Sequence, residues 1–395
     1  MGGLAAINFD VKIVRPTPQY KTNLITNSIN LTMKNNQNFQ FLAVCLILII
    51  NSVHIVKAQT VIENSVKSFL NTLNADELKK TTYTFDDTMR LKWTNLPIGM
   101  VPRAGIQYGA LSDKSRIAFH RVLSALLSSQ GYLKTTSIMQ LDDILNALYQ
   151  EAYDKKEIDE KRLKQMQDLK WAHGNYYISV WGLPQDKEPW GLDFGGHHMA
   201  LNVTVRGTAV SMSPFFYGTD PSEVKSSKYA GWRVLSKEED YGFLLINALS
   251  ETQKAKAILS QKVPSDILTN PKSSQRITSY YGIPAGEMNE TQQTLLKMLI
   301  DEYLHNFEHQ TAHRLVEEMM KTGFEKVYFA WIGSLENNKP HYYIINAPDF
   351  LIEYDNVGFQ NDGNHIHAIT REKGSDFGED LLKQHLETEH KQGKN

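Results

Sequence analysis

"HHMALNVTVRGTAVSMSPFFYG", residues 197–218, is the stretch on which the fold turns. Its β-branched and aromatic residues fall in two runs that meet at Arg206-Gly207, a pattern that predicts a β-hairpin. If residues 197–206 are extended, side chains alternate between faces. His197 then joins Met199, Leu201, Val203 and Val205 on an apolar face, and His198 joins Ala200, Asn202, Thr204 and Arg206 on a polar one. Gly195 and Gly196 allow a tight turn or a close backbone approach just before the pair. Two readings stand for the doublet. His198, with His197 bent in beside it, is a metal ligand or an acid–base group; or His197 is a hydrogen-bonded core histidine and His198 a surface residue.

Outward from this hairpin the chain sorts into runs of helix and runs of strand. Residues 61–170 are mostly helical in pattern. In "SDKSRIAFHRVLSALLSSQG", residues 112–131, Ser112 is suited to cap a helix start and Gly131 to end it. A second helix is predicted over 137–149, and Trp93, Pro97 and Pro102 mark a loop within 75–105. "NYYISVWG" at 175–182 reads as a strand. Helical periodicity returns over 237–261 and 291–322. Then come "KVYFAWIG", "PHYYIINA", "FLIEYD" and "NHIHAIT", joined by short polar turns, and a closing helix over 380–392. The expectation is an α+β fold: antiparallel sheet, with N-terminal and intervening helices packed on it.

A second histidine pair sits late in the chain. In "NHIHAIT", His365 and His367 share one strand face while Ile366 and Ala368 take the other. The same parity puts Glu353 and Asp355 on one face of the preceding strand. If those strands are neighbours, two histidines and two carboxylates converge into a ligand set suited to Zn, Fe, Mn or Ni. The alternative is a polar sheet face satisfied by ordinary hydrogen bonds. His305, His309 and His313 recur every four residues and are expected to form a solvent-facing stripe of one helix.

The bulk numbers narrow the class. The 395 residues are 41% hydrophobic and 22% charged with a net charge of -2, an ordinary globular balance without a basic footprint for nucleic acid. "MKNNQNFQFLAVCLILIINSVHIVKAQT", beginning at Met33, has the layout of a signal peptide: one early lysine, an apolar core over 41–50, and small residues before Gln59. Residues 1–32 then read as an unstructured upstream extension, 33–58 as the signal, and 59–395 as one domain, secreted or periplasmic and without a membrane span. Cys45, the one cysteine, lies in the signal, so thiolate metal sites and cysteine nucleophiles are excluded from the mature chain. The sequence has no H-E-x-x-H, G-x-S-x-G, phosphate-loop or dinucleotide-binding motif.

Several stretches together resemble domain-of-unknown-function family 3500, found in exported proteins. They are "RAGIQYGALSDKSRIAFHRVLSALLSSQGY", "PWGLDFGGHHMALNVTV", "SPFFYGTDPSEV", "FAWIGS", "HYYIINAPDFLIEYD" and "NHIHAITREKGSDFGEDLLKQH". The resemblance runs from about Trp93 to His385 and implies no activity. It does tie Gly196, His197, His198, Asn202, Glu353, Asp355, His365, His367, Arg371, Asp376 and Gly378 to one template.

Two functional expectations follow. The first is a metal-dependent hydrolase. Histidines among His197, His198, His365 and His367 hold the ion, with Glu353 or Asp355 as fourth ligand or general base. Arg371 holds an anionic substrate group, and Asp376 orients a histidine from behind. The second is a non-catalytic protein that binds a small ligand, haem or a surface glycan. Its pocket is lined by aromatic residues such as Trp190, Tyr342 and Tyr343, with Asn202 nearby.

Overall fold

The computed structural model describes residues 60–185, 188–273, 276–358 and 361–379. The expected upstream extension, the expected signal peptide with Cys45, and the closing helix expected at 380–392 lie outside the described residues. No helix among those described is long and apolar enough to cross a membrane.

The helices are α1 (60–70), α2 (Ala75–Thr81), α3 (Asp113–Leu126), α4 (Ser129–Asp154), α5 (Glu160–Gln167), α6 (Ser236–Ala248), α7 (Glu251–Ala257), α8 (Glu290–Leu304) and α9 (His309–Thr322). Ser112 caps α3 as its sequence predicts, accepting the Ser115 N–H at 3.2 Å. Gly131 does not end that helix. It lies in the first turn of α4, behind its own cap Ser128, where a Cβ would stand 2.0 Å from the Asn306 carbonyl oxygen. The glycine is there for a close helix–loop approach. The histidine stripe is also interrupted: α8 stops at Leu304, so His305 caps that helix while His309 and His313 belong to α9. All three are exposed.

Among the described residues, thirteen strands form one sheet. They are β1 (Thr82–Tyr83), β2 (Ile106–Gln107), β3 (Tyr177–Trp181), β4 (Trp190–Gly196), β5 (Met199–Arg206), β6 (Ala209–Ser211) and β7 (Phe215–Thr219). The rest are β8 (Ile258–Ser260), β9 (Ile283–Pro284), β10 (Tyr328–Gly333), β11 (His341–Asn346), β12 (Phe350–Asn356) and β13 (Ile366–Glu372). The main order is β1-β3-β4-β5-β7-β13-β12-β11-β10-β8. The fold is α+β, but the sheet is mixed rather than antiparallel. The short outer strands β1 and β8 pair in parallel with β3 and β10, because each follows directly on a helix, α2 or α7, that returns the chain in that direction.

Strand parity divides the two faces. Val180, Leu192, Leu201, Val203, Ile352, Tyr354, Ile366 and Ala368 join the large core made with residues of α1, α3, α4, α6 and α8. The opposite face carries a smaller cluster, among it Ala200, Phe216, Tyr342, Ile344, Leu351 and Ile369, packed with Trp93, Val263, Ile267 and Leu268 from loops. A face covered by loops rather than by helices has room for polar side chains, and the late histidines point there.

Candidate metal centre

The central strands place the histidines. β12 and β13 are antiparallel neighbours with Asp355 opposite His367, and β7 pairs on the other side of β13 with Gly218 opposite His367. Ile366 and Ala368 enter the helix-side core, so His365 and His367 project from the loop-covered face.

His197 and His198 do not begin a strand. They are the two-residue turn between β4 and β5, closed by the pairing of Gly196 with Met199. His198 has φ +59°, left-handed backbone unusual for a side chain with Cβ and worth on the order of 1–3 kcal/mol of strain. Two hydrogen bonds hold it: His198 N–H donates to the Asn95 carbonyl at 3.0 Å, and Gly218 N–H donates to the His198 carbonyl at 2.7 Å. The rings do not go to opposite faces. Both are buried and stacked, centroids 3.8 Å apart. Gly218 leaves the space for this, since a Cβ there would stand 3.0 Å from His198 Cδ2.

The result is a convergence of three Nε2 atoms. His198 Nε2 lies 2.8 Å from His365 Nε2, which lies 3.0 Å from His367 Nε2. One sp² nitrogen has one in-plane position. Whatever the tautomers, His365 Nε2 sustains at most one linear hydrogen bond, yet it faces two identical atoms. A single cation resolves this, and Nε2 atoms about 3 Å apart are spaced for one ion at ~2.0–2.1 Å from each. Burial, helped by the neighbouring imidazoles, holds His198 and His365 well below the ordinary histidine value, so both rings are neutral near pH 7. At His367 burial also lowers the value, but Asp355 and Asp266 outweigh it and raise the ring to about 10. With Nδ1–H already on Asp266, the extra proton sits on Nε2, where a bound cation takes its place.

Carboxylates stand behind the imidazoles. His367 Nδ1–H donates to Asp266 Oδ1 at 2.9 Å, with Asp355 Oδ2 at 3.7 Å. Asp220 Oδ2 is 3.6 Å from His365 Nδ1. A carboxylate on Nδ1 fixes the ring and leaves the Nε2 lone pair facing inward, as around metal-ligating histidines. Asp355 is buried with Oδ2 lacking a hydrogen-bond partner among the described residues, and burial pushes its carboxyl up to about 6 against the pull of His367. Asp266, Asp355 and His367 also form a second grouping of potential ligand atoms, on the Nδ1 side of the ring.

The other expected site residues are placed as follows. His197 Nδ1–H donates to Asp142 Oδ1 at 2.6 Å, and its ring lies between Trp171 and His198; it supports His198 and is not in the three-histidine group. Glu353 is saturated. It accepts from Leu268 N at 2.8 Å, from Thr269 N at 3.2 Å, and from the Thr269 and Tyr342 hydroxyls, so it pins a loop and has no oxygen to spare for a metal. Arg371 donates to Thr269 Oγ1 at 3.0 Å and to its carbonyl at 2.7 Å, and pairs with Asp376. Asp376 in turn accepts from Ser213 Oγ at 2.6 Å, so it orients an arginine rather than a histidine. Asn202 Nδ2 donates to the Pro214 carbonyl at 2.6 Å. Tyr343 and Trp190 belong to the helix-side core, Tyr343 stacked on Tyr354 at 4.6 Å. Asp266 and Asp220 were missed. They lie in loops, with no periodicity or paired spacing to single them out.

A family model described as a protein of unknown function, DUF3500, matches residues 56–379. No curated protein matches the chain, and no solved structure does.

Proposed function

We propose that this chain, which belongs to the DUF3500 family, is a metal-dependent hydrolase whose ion is held by His198, His365 and His367. The observation that carries the reading is the meeting of three Nε2 atoms at one point, two of them 2.8 and 3.0 Å from the third. Three imidazoles, His367 yielding its Nε2 proton to the ion, suit Zn first, with Fe, Mn and Ni behind it. Three protein ligands leave a coordination position open, the pattern of catalytic rather than structural zinc. When bound, such an ion supplies Lewis-acid polarisation and acidifies water toward a pKa of ~7.

The residues divide the remaining work. Asp266 orients His367 through Nδ1, and Asp220 stands 3.6 Å behind His365 Nδ1. His197, anchored by Asp142, presses the His198 ring into place. Asp355 stands behind His367 with Oδ2 3.7 Å from its Nδ1 and adds negative charge to that side of the ring. Glu353, Arg371 and Asp376 keep the covering loop at 267–269 on the sheet. We also propose export to a secreted or periplasmic location, on the strength of the leader-like sequence at 33–58.

The test is elemental analysis of the purified protein, with hydrolysis of a panel of nitrophenyl esters and phosphates. About one transition-metal ion per chain and turnover abolished by chelation are expected. A metal-free protein whose melting temperature ignores Zn, Fe, Mn and Ni would remove the metal. A metallated protein inert on every ester would remove the hydrolase and leave the metal.

A further inference from the structure

A cavity of about 210 Å³ lies on the same face of the sheet, under residues 89–104, and none of the three metal-site histidines lines it. Its floor includes Tyr177, Trp181, Asp193 and Asn202 from β3, β4 and β5; Trp93 and Pro102 belong to its cover. The cover is fastened to the sheet. Arg103 donates to the Thr94 carbonyl at 3.0 Å, the Val101 carbonyl at 3.1 Å, the Gly196 carbonyl at 2.9 Å and the Leu96 carbonyl.

One acid sits in these mostly apolar and aromatic walls. Asp193 Oδ2 accepts the Trp181 Nε1–H at 2.6 Å, and no donor among the described residues reaches Oδ1. The cations around it do not pair with it. Arg90 donates to the Phe85 and Phe377 carbonyls; Arg103, which lines the cavity, spends its donors on the four carbonyls above; and Lys92, also at the cavity wall, is exposed and makes no hydrogen bond to Asp193. A half-buried carboxylate beside apolar and aromatic walls is best matched by a hydrogen-bonding cation. Size sets the body of the ligand. A dry cavity of ~150 Å³ admits benzene, so this one has room for a single ring with a short side chain.

We infer that the cavity is a binding site for a small primary amine with an apolar or aromatic body, its ammonium on Asp193 Oδ1 and its body against Trp93. Burial raises the Asp193 carboxyl to about 7, against the Trp181 hydrogen bond and Arg90. An ammonium ligand therefore binds more tightly as pH rises from 5.5 to 8, where the acid is ionised and the amine still charged. The site rests on a different observation from the metal reading and survives its failure.

The experiment is calorimetric titration of the purified protein with benzylamine, benzyl alcohol and sodium benzoate. Saturable benzylamine binding is expected at pH 8, at least tenfold weaker at pH 5.5, with the alcohol at least tenfold weaker and benzoate silent. D193N loses at least tenfold, W93A weakens binding while leaving the acid in place, and H365A binds as wild type. No saturable benzylamine binding, equal binding of the alcohol, or a preference for benzoate would each overturn the inference. If D193N does not fold, the three-ligand comparison and the pH dependence on the wild-type protein decide it.

Discussion

At the scale of single residues, the site is a set of imidazoles each backed by something that fixes it. His365 is central because its Nε2 faces both partners. H365A should therefore abolish tight zinc binding, measured by competition with a chromophoric chelator. D266N, which weakens the acceptor for His367 Nδ1–H but leaves all three ligands, should lower zinc affinity by roughly 10–100-fold. A titration in which D266N binds zinc like the wild type would deny the backing role. Asp193 gives a separate pH effect. Its folded value, about 7, stands above the unfolded one, so the folded state binds the extra proton. Its contribution favours folding at low pH and is lost as pH rises from about 4 to about 7. D193N removes this term. Between pH 4.5 and 7.5 the wild-type melting temperature should therefore fall relative to that of D193N. Parallel curves would mean that Asp193 titrates normally.

At the scale of elements, the tight β4–β5 turn carries His198 to the other two histidines. The strands around it were legible: "NYYISVWG" and "HHMALNVTV" announce themselves by aromatic and β-branched runs, and parity put His365 and His367 on one face. The turn was not legible, because His-His carries none of the Asn-Gly or Asp-Gly chemistry that marks two-residue hairpins. Here tertiary hydrogen bonds to Asn95 and Gly218 hold a left-handed histidine that local preference opposes. Nor does parity reveal neighbours: that β7 inserts between β5 and β13, bringing Gly218 beneath His198, is a property of topology alone. Two variants test the turn. H198N keeps a residue tolerant of positive φ and should fold with little change in melting temperature while losing at least tenfold in zinc affinity. G218A should weaken zinc binding by crowding the His198 ring. Its added methyl also lies 2.7 Å from the Ile366 carbonyl, so some loss of stability is expected with it.

At the scale of the whole molecule, the sheet has one face sealed by helices and one covered by loops, and both candidate sites lie on the second. Composition and the order of helical and strand segments conveyed the α+β class. They did not convey that one continuous sheet organises the described residues, or that loops near 93–103 and 263–270 would form the lid. Those loops supply Asn95 and Asp266, which is why the histidine clusters were visible in the sequence and their supports were not. The proposed metal centre also joins distant parts of the chain: His198 in the β4–β5 turn, and His365 and His367 at β13. An ion there binds the folded state alone and adds RT ln(1 + [L]/Kd), ~2.7 kcal/mol at a hundredfold excess over Kd. The measurement closest to the claim is an anomalous difference map from crystals grown with zinc, collected at the zinc edge. A single strong peak ~2.0–2.1 Å from the Nε2 atoms of His198, His365 and His367 is predicted. Three imidazoles hydrogen-bonded to one another with no peak among them, or zinc bound elsewhere, would contradict it.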